Sequence, residues 1–273
     1  MKSKDVAMTF WEHLEELRRR IIISLIALGV FTVLGLSFTK PIKYVLELPM
    51  KSPMMSMVAN AIDVSAGSDG STLGFLALAL RSGTSSVEAE LILTGAFQGI
   101  MAYLTIGITA GVLFSLPIIL YQIWMFVFPA LSSSERRLAV PLFFTIIFFF
   151  LLGAVFAYFV VVPVVLQFAA GLFPEFRNLW DLKHYITFVT QLILGFGIAF
   201  ELPIVMAFLA RIGVIDSQGF RSKQRHALLG ICVISALLTP ADPTSMLLMA
   251  IPLFVLYQLG IFFAFLVEQE AEI

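Results

Sequence analysis

The sequence predicts an all-α integral membrane protein with six transmembrane helices of uneven length. Three observations lead to this fold class: 60% of the 273 residues are hydrophobic, only 13% are charged, and the apolar residues are gathered in long runs. A soluble domain needs a much more charged surface than this. A helix that crosses a bilayer needs about 20 mostly apolar residues, and most of the runs reach that length.

The lengths of the runs differ, and this unevenness is itself a prediction. At about 1.5 Å rise per residue, a run of about 30 residues reaches about 45 Å, beyond a hydrocarbon core of about 30 Å. We therefore expect the second and third spans to tilt, kink or protrude, with Pro117 and Pro163 as kink points. The fifth run is short and is expected to thin the bilayer around it. The six spans are predicted at about 21–39, 99–128, 139–170, 185–210, 227–239 and 244–267.

The distribution of positive charge predicts the orientation. Lysine and arginine are more numerous in the segments that share a side with the N-terminus, so both termini are predicted to be cytoplasmic. Residues 1–273 then form a single membrane domain with a long outer loop at about 40–97. The lone cysteine, Cys232, excludes an internal disulfide, and the histidines are scattered. We expect no metal, no cofactor and no nucleic-acid partner.

The segment WEHLEELRRRIII, residues 11–23, places three glutamates beside three arginines just before the first span. Glu15 with Arg19 and Glu16 with Arg20 have the i,i+4 spacing of helical ion pairs. Exposed pairs of this kind contribute only about 0.3–0.5 kcal/mol each, which is a weak reason for so much negative charge at a membrane surface.

Two further acidic residues stand out. Glu201 lies about ten residues before Arg211, hence roughly 15 Å from the end of its helix. A carboxylate at that depth costs at least about 2.5 kcal/mol. Three interpretations of Glu201 are open: a protonated group hydrogen-bonded inside the bundle, a docking point for another transmembrane helix, or a proton relay. Glu135 has capping-box spacing from Ser132, and its second oxygen is available to a cationic ligand.

Two polar residues belong to the sixth span. Asp242 has the position of an N-cap, with Pro243 at the first helical position. Gln258 is uncharged and is expected to hydrogen-bond between helices.

Six long motifs stand out along the chain: HLEELRRRIIISL, LPIILYQIWMFVFPALSSSERR, LLGAVFAYFVVVPVVLQF, FGIAFELPIV, GVIDSQGFRSKQR and LLTPADPTSMLLMAIPLFVLYQLGIFF. Together these motifs resemble the TatC family, the multispanning receptor subunit of the twin-arginine protein translocase. The motifs occur in the family's order, and the resemblance covers about residues 1–55 and 91–267.

The resemblance implies a non-enzymatic, multi-pass protein of the inner (plasma) membrane. It implies binding of twin-arginine signal peptides of folded proteins at the cytoplasmic face, and assembly with the single-span proteins TatA and TatB for export driven by proton-motive force. Membrane lipid and further copies of the chain are expected as additional partners. The residues expected to bind the signal peptide are Glu16, Glu135, Arg18, Phe126, Pro117 and Pro129.

Other positions are assigned to partner docking and to the outer loop. Glu201 matches the intramembrane glutamate that the family links to assembly with TatA and TatB, and Gln258 is grouped with it as a polar residue of the spans. Asp242 and Pro49 are the outer-loop positions. The outer loop is longer than is usual in the family, with an insertion at about 58–90, so the family's loop contacts are not carried over.

The rival interpretation is a proton-coupled secondary transporter that uses Glu201 as its coupling residue. Such a protein usually has several polar groups at depth and often an internal repeat, whereas Glu201 is the lone charge at depth in this sequence. A membrane-embedded enzyme is disfavoured because no Ser/His, Asp/Asp or His/Glu set converges in the spans.

Overall fold

The computed structural model describes residues 10–51, 90–127, 136–171, 179–239 and 243–271. Over these ranges the chain is almost entirely helical, as the apolar runs predict. The elements in chain order are α1 (Phe10–Ser37), α2 (Thr39–Lys51), β1 (Glu90–Ile92), α3 (Gln98–Val127), α4 (Arg136–Phe156), a π-helical turn (Ala157–Val161), α5 (Val162–Gly171), β2 (Leu179–Asp181), α6 (Leu182–Ala199), α7 (Leu202–Arg211), α8 (Ser217–Ser222), α9 (Gln224–Leu238) and α10 (Pro243–Ala271).

Helix length and composition identify the membrane spans within these ranges. Helix α9 is also apolar but has only 15 residues, or about 22 Å, which is shorter than a hydrocarbon core of about 30 Å. The uneven lengths expected from the sequence are therefore present. Five helical stretches are long and apolar enough to cross a membrane: Trp11–Ser37, Gln98–Phe126, Leu142–Ala170, Leu182–Arg211 and Met249–Gln269.

The described residues group into two compact units, those within Met1–Ile42 and Tyr103–Ile147 and those within Lys43–Ala102 and Phe148–Ile273. In the first unit, α1 lies antiparallel against α3. Gly35 permits this close approach, because a Cβ there would lie 2.7 Å from the Cβ of Ala110 and 2.8 Å from the carbonyl oxygen of Gly107. The hydroxyl of Tyr103 donates a 2.6 Å hydrogen bond to the carbonyl of Leu36 and ties the same two helices together.

In the second unit, α10 packs along α7 and α9. The ring of Phe156 contacts those of Phe196 and Phe200, with centroids 5.8 and 5.4 Å apart. Phe196 and Met249 are fully buried, so the core of this unit is built from large apolar side chains of several spans.

The fourth span is broken where the sequence places a proline after a glutamate. Helix α6 ends at Ala199, and the N–H of Glu201 bonds to the carbonyl of Ile198, three residues back, at 3.1 Å. Pro203 has no N–H to donate to the carbonyl of Ala199, which explains why the regular ladder stops there and α7 begins anew.

The two prolines expected to kink their spans behave differently. The π-helical turn ends just before Pro163, whose missing N–H favours an irregular ladder at that point. Helix α3, by contrast, runs through Pro117 without a break in its helical structure.

The second unit contains a short parallel strand pair beside the start of α6. Glu90 pairs with Leu179 and Ile92 with Asp181. The carboxylate of Asp181 then caps α6 by accepting the N–H of His184 at 3.0 Å.

Candidate functional site

The N-terminal turns of α1 bring Glu16 and Arg20 together one helical turn apart. Nη2 of Arg20 donates to Oε1 of Glu16 at 2.9 Å, and Nη1 donates to Oε1 of Gln122 on α3 at 3.0 Å. The side chains of Arg20 and Glu16 are 22% and 15% exposed, so the pair is largely shielded from water. Charge-assisted hydrogen bonds are stronger in such a setting than in bulk water.

The second oxygen of Glu16 is the unbonded acceptor of this cluster. Oε2 of Glu16 is buried and has no hydrogen-bond partner among the described residues, and the same holds for Nε of Arg20. A buried carboxylate oxygen without a partner is costly, which makes it a ready acceptor for an incoming donor.

An aromatic contact lies further along the same pair of helices. The imidazole of His13 stacks on the ring of Phe126, with centroids 4.4 Å apart and planes at 18°. Phe126 stands near the end of α3, so the structure places this predicted site residue on the same helix pair as Glu16.

The remaining residues predicted for signal binding are distributed more widely. Arg18 is exposed on α1, and Pro117 is exposed on α3. Glu135 and Pro129 lie outside the described residues. The structure thus brings Glu16 and Phe126 onto neighbouring helices, and Glu135 remains a prediction.

One predicted ion pair does not form. Glu15 and Arg19 are both exposed and make no contact with each other among the described residues, whereas Glu16 and Arg20 pair. The difference has a physical reason: Arg20 is also anchored by Gln122, whereas an ion pair between exposed side chains contributes little.

Glu201 stands in the break between α6 and α7. Both of its carboxylate oxygens are buried and have no hydrogen-bond partner of ordinary geometry in the described part of the chain, although the backbone amide of Phe150 lies close by. The break follows from Pro203, and it removes this stretch from the regular helical ladder. Glu201 is therefore a buried polar group that the described residues do not satisfy.

Gln258 makes the interhelical bond expected of it. Its Oε1 accepts from the amide of Gln224 on α9 at 3.2 Å. Neither Gln224 nor Glu268 was predicted from the sequence. The carboxylate of Glu268 accepts hydrogen bonds from the backbone N–H and the hydroxyl of Ser217 on α8. A groove of about 690 Å³ runs beside these groups, lined by Gln258, Phe262, Arg221 and neighbouring residues.

The turn into α8 is also well defined. Gly213 has φ 72°, the left-handed conformation in which glycine ends a helix, and the N–H of Val214 bonds to the carbonyl of Leu209 at 3.0 Å. This Schellman motif closes α7 and redirects the chain.

The outer-loop positions are only partly described. Pro49 is buried within α2, and Asp242 lies outside the described residues, although α10 does begin at Pro243. The loop insertion at about 58–90 lies outside them too, apart from Glu90. No group of three or more His, Cys, Asp or Glu side chains in the described ranges is arranged to hold a metal ion.

Comparison with known proteins decides the family. Residues 12–252 match the family described as Sec-independent protein translocase protein (TatC). The chain belongs to the TatC family.

Relatives and solved structures agree with this assignment over nearly the whole chain. The TatC proteins of Desulforapulum autotrophicum and Aquifex aeolicus are 31% and 36% identical, over 96% and 93% of this chain and 86% and 94% of theirs. The crystal structure of the twin-arginine translocase receptor TatC is 34% identical, with a TM-score of 0.72, and the match covers 94% of this chain and 99% of that one.

The family assignment confirms the main conclusions drawn from the sequence. The chain is a multi-pass, six-span protein of the inner membrane and a component of the protein translocase for twin-arginine export. The interpretation as a proton-coupled secondary transporter is not favoured.

Proposed function

We propose that this chain is the receptor that binds the twin-arginine signal peptide of folded proteins at the cytoplasmic face. The observation that carries the proposal is the shielded carboxylate of Glu16, one oxygen of which has no partner among the described residues. A guanidinium is weakly hydrated and presents a planar array of donors, so it is the cation best suited to such an acceptor.

The two arginines of the signal peptide need two carboxylate partners, and we propose Glu135 as the second. The sequence places it in the loop between α3 and α4, on the same predicted membrane face as Glu16. Arg18, Phe126, Pro117 and Pro129 complete the proposed site. The ring of Phe126, which stacks on the imidazole of His13, offers an apolar contact for the hydrophobic part of the peptide.

The single-span proteins TatA and TatB are the proposed partners of Glu201. A polar residue on a partner helix would satisfy carboxylate oxygens that the described residues leave unbonded. Gln258 is proposed as a second polar contact, and Asp242 and Pro49 as outer-loop positions in the same assembly. We further propose that several copies of the chain assemble with lipid and that proton-motive force drives transport, with no enzymatic step in this chain.

The signal-binding assignment is tested by changing both carboxylates together. In cells whose only TatC is the Glu16→Ala, Glu135→Ala variant, we expect loss of twin-arginine export and loss of crosslinking between the variant and a twin-arginine signal peptide. Glu15→Ala is the matched control, since Glu15 is exposed and makes no contact with Arg19. Undiminished crosslinking to the double variant would show that the site lies elsewhere.

A further inference from the structure

Arg20 is a bridge between two helices rather than a simple partner of Glu16. Its two terminal nitrogens donate to different acceptors, Oε1 of Glu16 on its own helix and Oε1 of Gln122 on α3. The sequence separation of Arg20 and Gln122 is 102 residues, so the bond depends on the tertiary pairing of α1 with α3. Gln122 is only 7% exposed, which makes it a fixed anchor.

This bridge requires a guanidinium. The planar fork of arginine presents two nitrogens in a rigid arrangement, whereas lysine offers one compact ammonium on a flexible stem. A lysine at position 20 could still neutralise Glu16, but it would not hold Glu16 and Gln122 together in the same geometry. The arrangement therefore restrains the direction of the Glu16 carboxylate as well as its charge.

The restraint determines what Glu16 offers to a ligand. Oε1 is occupied by Arg20, and Oε2 is buried and unbonded among the described residues. The carboxylate is thus a one-oxygen acceptor of fixed direction. A guanidinium satisfies such an acceptor at low desolvation cost, and its other N–H groups remain free for a second carboxylate.

An ammonium group binds less favourably to the same acceptor. It is strongly hydrated, and on losing that water it needs several acceptors around a compact charge. A freely rotating carboxylate with water beside it could provide these acceptors, whereas the Glu16 carboxylate, held by Arg20, does not. The fixed geometry accordingly favours arginine over lysine in the ligand.

We propose that Arg20 and Gln122 are positioning residues that set the preference of this site for guanidinium over ammonium, by holding Oε1 of Glu16 and leaving Oε2 open. The proposal rests on the proposed function, because it takes the twin-arginine peptide as the ligand of Glu16. It adds that specificity is determined by two residues that do not themselves contact the peptide.

The test compares two peptides on one panel of variants. Affinities of a twin-arginine signal peptide and of its twin-lysine analogue are measured for the full chain in lipid nanodiscs, with Arg20→Lys, Gln122→Ala and the double variant. Each single variant is expected to lower the arginine-to-lysine affinity ratio about fivefold, the size of one hydrogen bond. Because both act through one bridge, the double variant should be no worse than either single variant.

Two controls separate positioning from general damage. Gln122→Glu keeps an acceptor for Arg20 and should preserve the affinity ratio. Arg19→Lys makes the same chemical change at an exposed neighbour that has no described partner, and it should change neither affinity. If Gln122→Ala does not fold, Arg20→Lys and Gln122→Glu still decide the question.

The outcomes distinguish the two proposals. If Glu16→Gln abolishes binding but Arg20→Lys and Gln122→Ala leave the affinity ratio unchanged, the positioning role is wrong and the receptor function stands. Equal loss of both peptides in these variants would show a merely structural role and would also overturn the inference. Unaltered twin-arginine binding by Glu16→Gln would refute the proposed function itself.

Discussion

Glu16 and Glu201 are both largely shielded carboxylates in a chain with few charges, yet the fold treats them differently. Glu16 has a cationic partner one turn away, and that partner is anchored to another helix by Gln122. Glu201 lies in a helix break, and neither of its oxygens is bonded by the described residues. The described residues satisfy the first carboxylate in part and leave the second without a hydrogen bond of ordinary geometry.

The contrast indicates two kinds of binding surface. A carboxylate that already has a cationic partner is suited to a second cationic ligand that binds and leaves, because the ion pair with Arg20 offsets part of the cost of the unbonded oxygen while the site is empty. An unsatisfied carboxylate at membrane depth is suited to a resident partner helix, because leaving it unpaired is costly. We therefore expect substitutions of Glu16 and of Glu201 to change different measured properties.

The largest expected effect is on peptide affinity. Glu16→Gln removes a charged acceptor whose hydrogen bonds contribute about 1.5–3 kcal/mol, so affinity for a twin-arginine peptide should fall by roughly 10- to 100-fold. Glu201→Gln should leave the affinity within about twofold. Binding titrations of both variants in nanodiscs measure this difference, and a comparable loss in the two variants would contradict the division of roles.

A smaller effect is expected on the stability of the chain without its partners. Glu201→Leu removes an unsatisfied buried group and should stabilise the isolated protein by roughly 1–3 kcal/mol, raising Tm by several degrees. Glu16→Leu should lower Tm, because it leaves Arg20 partly buried without its carboxylate. Thermal unfolding in one detergent compares the two. A lower Tm for Glu201→Leu would show that the native fold already satisfies the carboxylate.

The smallest expected effect on stability is at Asp181, a third type of carboxylate in which both oxygens accept hydrogen bonds. Its pKa is lowered, first by the backbone N–H of His184 and then by hydrogen bonds from the side chains of His184 and Thr94. A lowered pKa in the folded state means that the stabilisation is complete above the ordinary aspartate value of about 4 and is lost as pH falls through the folded value.

Asp181→Asn should therefore lower Tm slightly at neutral pH, by about 1 °C, since asparagine also caps helices well. The Tm values of the wild type and the variant should converge as pH falls below about 4. Thermal unfolding from pH 3 to pH 7 follows this convergence. A difference in Tm that is independent of pH would mean that the charge of Asp181 contributes nothing.

Local sequence patterns predicted part of this picture. The apolar runs predicted a six-span fold, and the i,i+4 spacing of Glu16 and Arg20 predicted their ion pair. Pro203 indicated the weakened ladder beside Glu201, because the missing N–H is a local property of the sequence.

Contacts between distant residues could not be read in the same way. Gln122 stands in LPIILYQIWMF as a lone amide in an apolar span, which marks it as unusual, but nothing local identifies Arg20 as its partner. The bonds of Glu268 to Ser217 and of Gln224 to Gln258 have the same origin in tertiary packing. Glu15 and Arg19 are the reverse case: their i,i+4 spacing predicted an ion pair, but both side chains are exposed and no pair forms between them.

A crosslinking scan shows whether the arginine pair of a signal peptide binds at Glu16. Photoreactive residues are placed one at a time along 12–20 and 126–137, with positions around Glu201 as the comparison set, and a twin-arginine signal peptide is added. We expect crosslinks to be concentrated near Glu16 and Phe126 and to weaken strongly with the twin-lysine peptide. Crosslinks of equal strength with both peptides, or crosslinks concentrated around Glu201, would contradict this expectation.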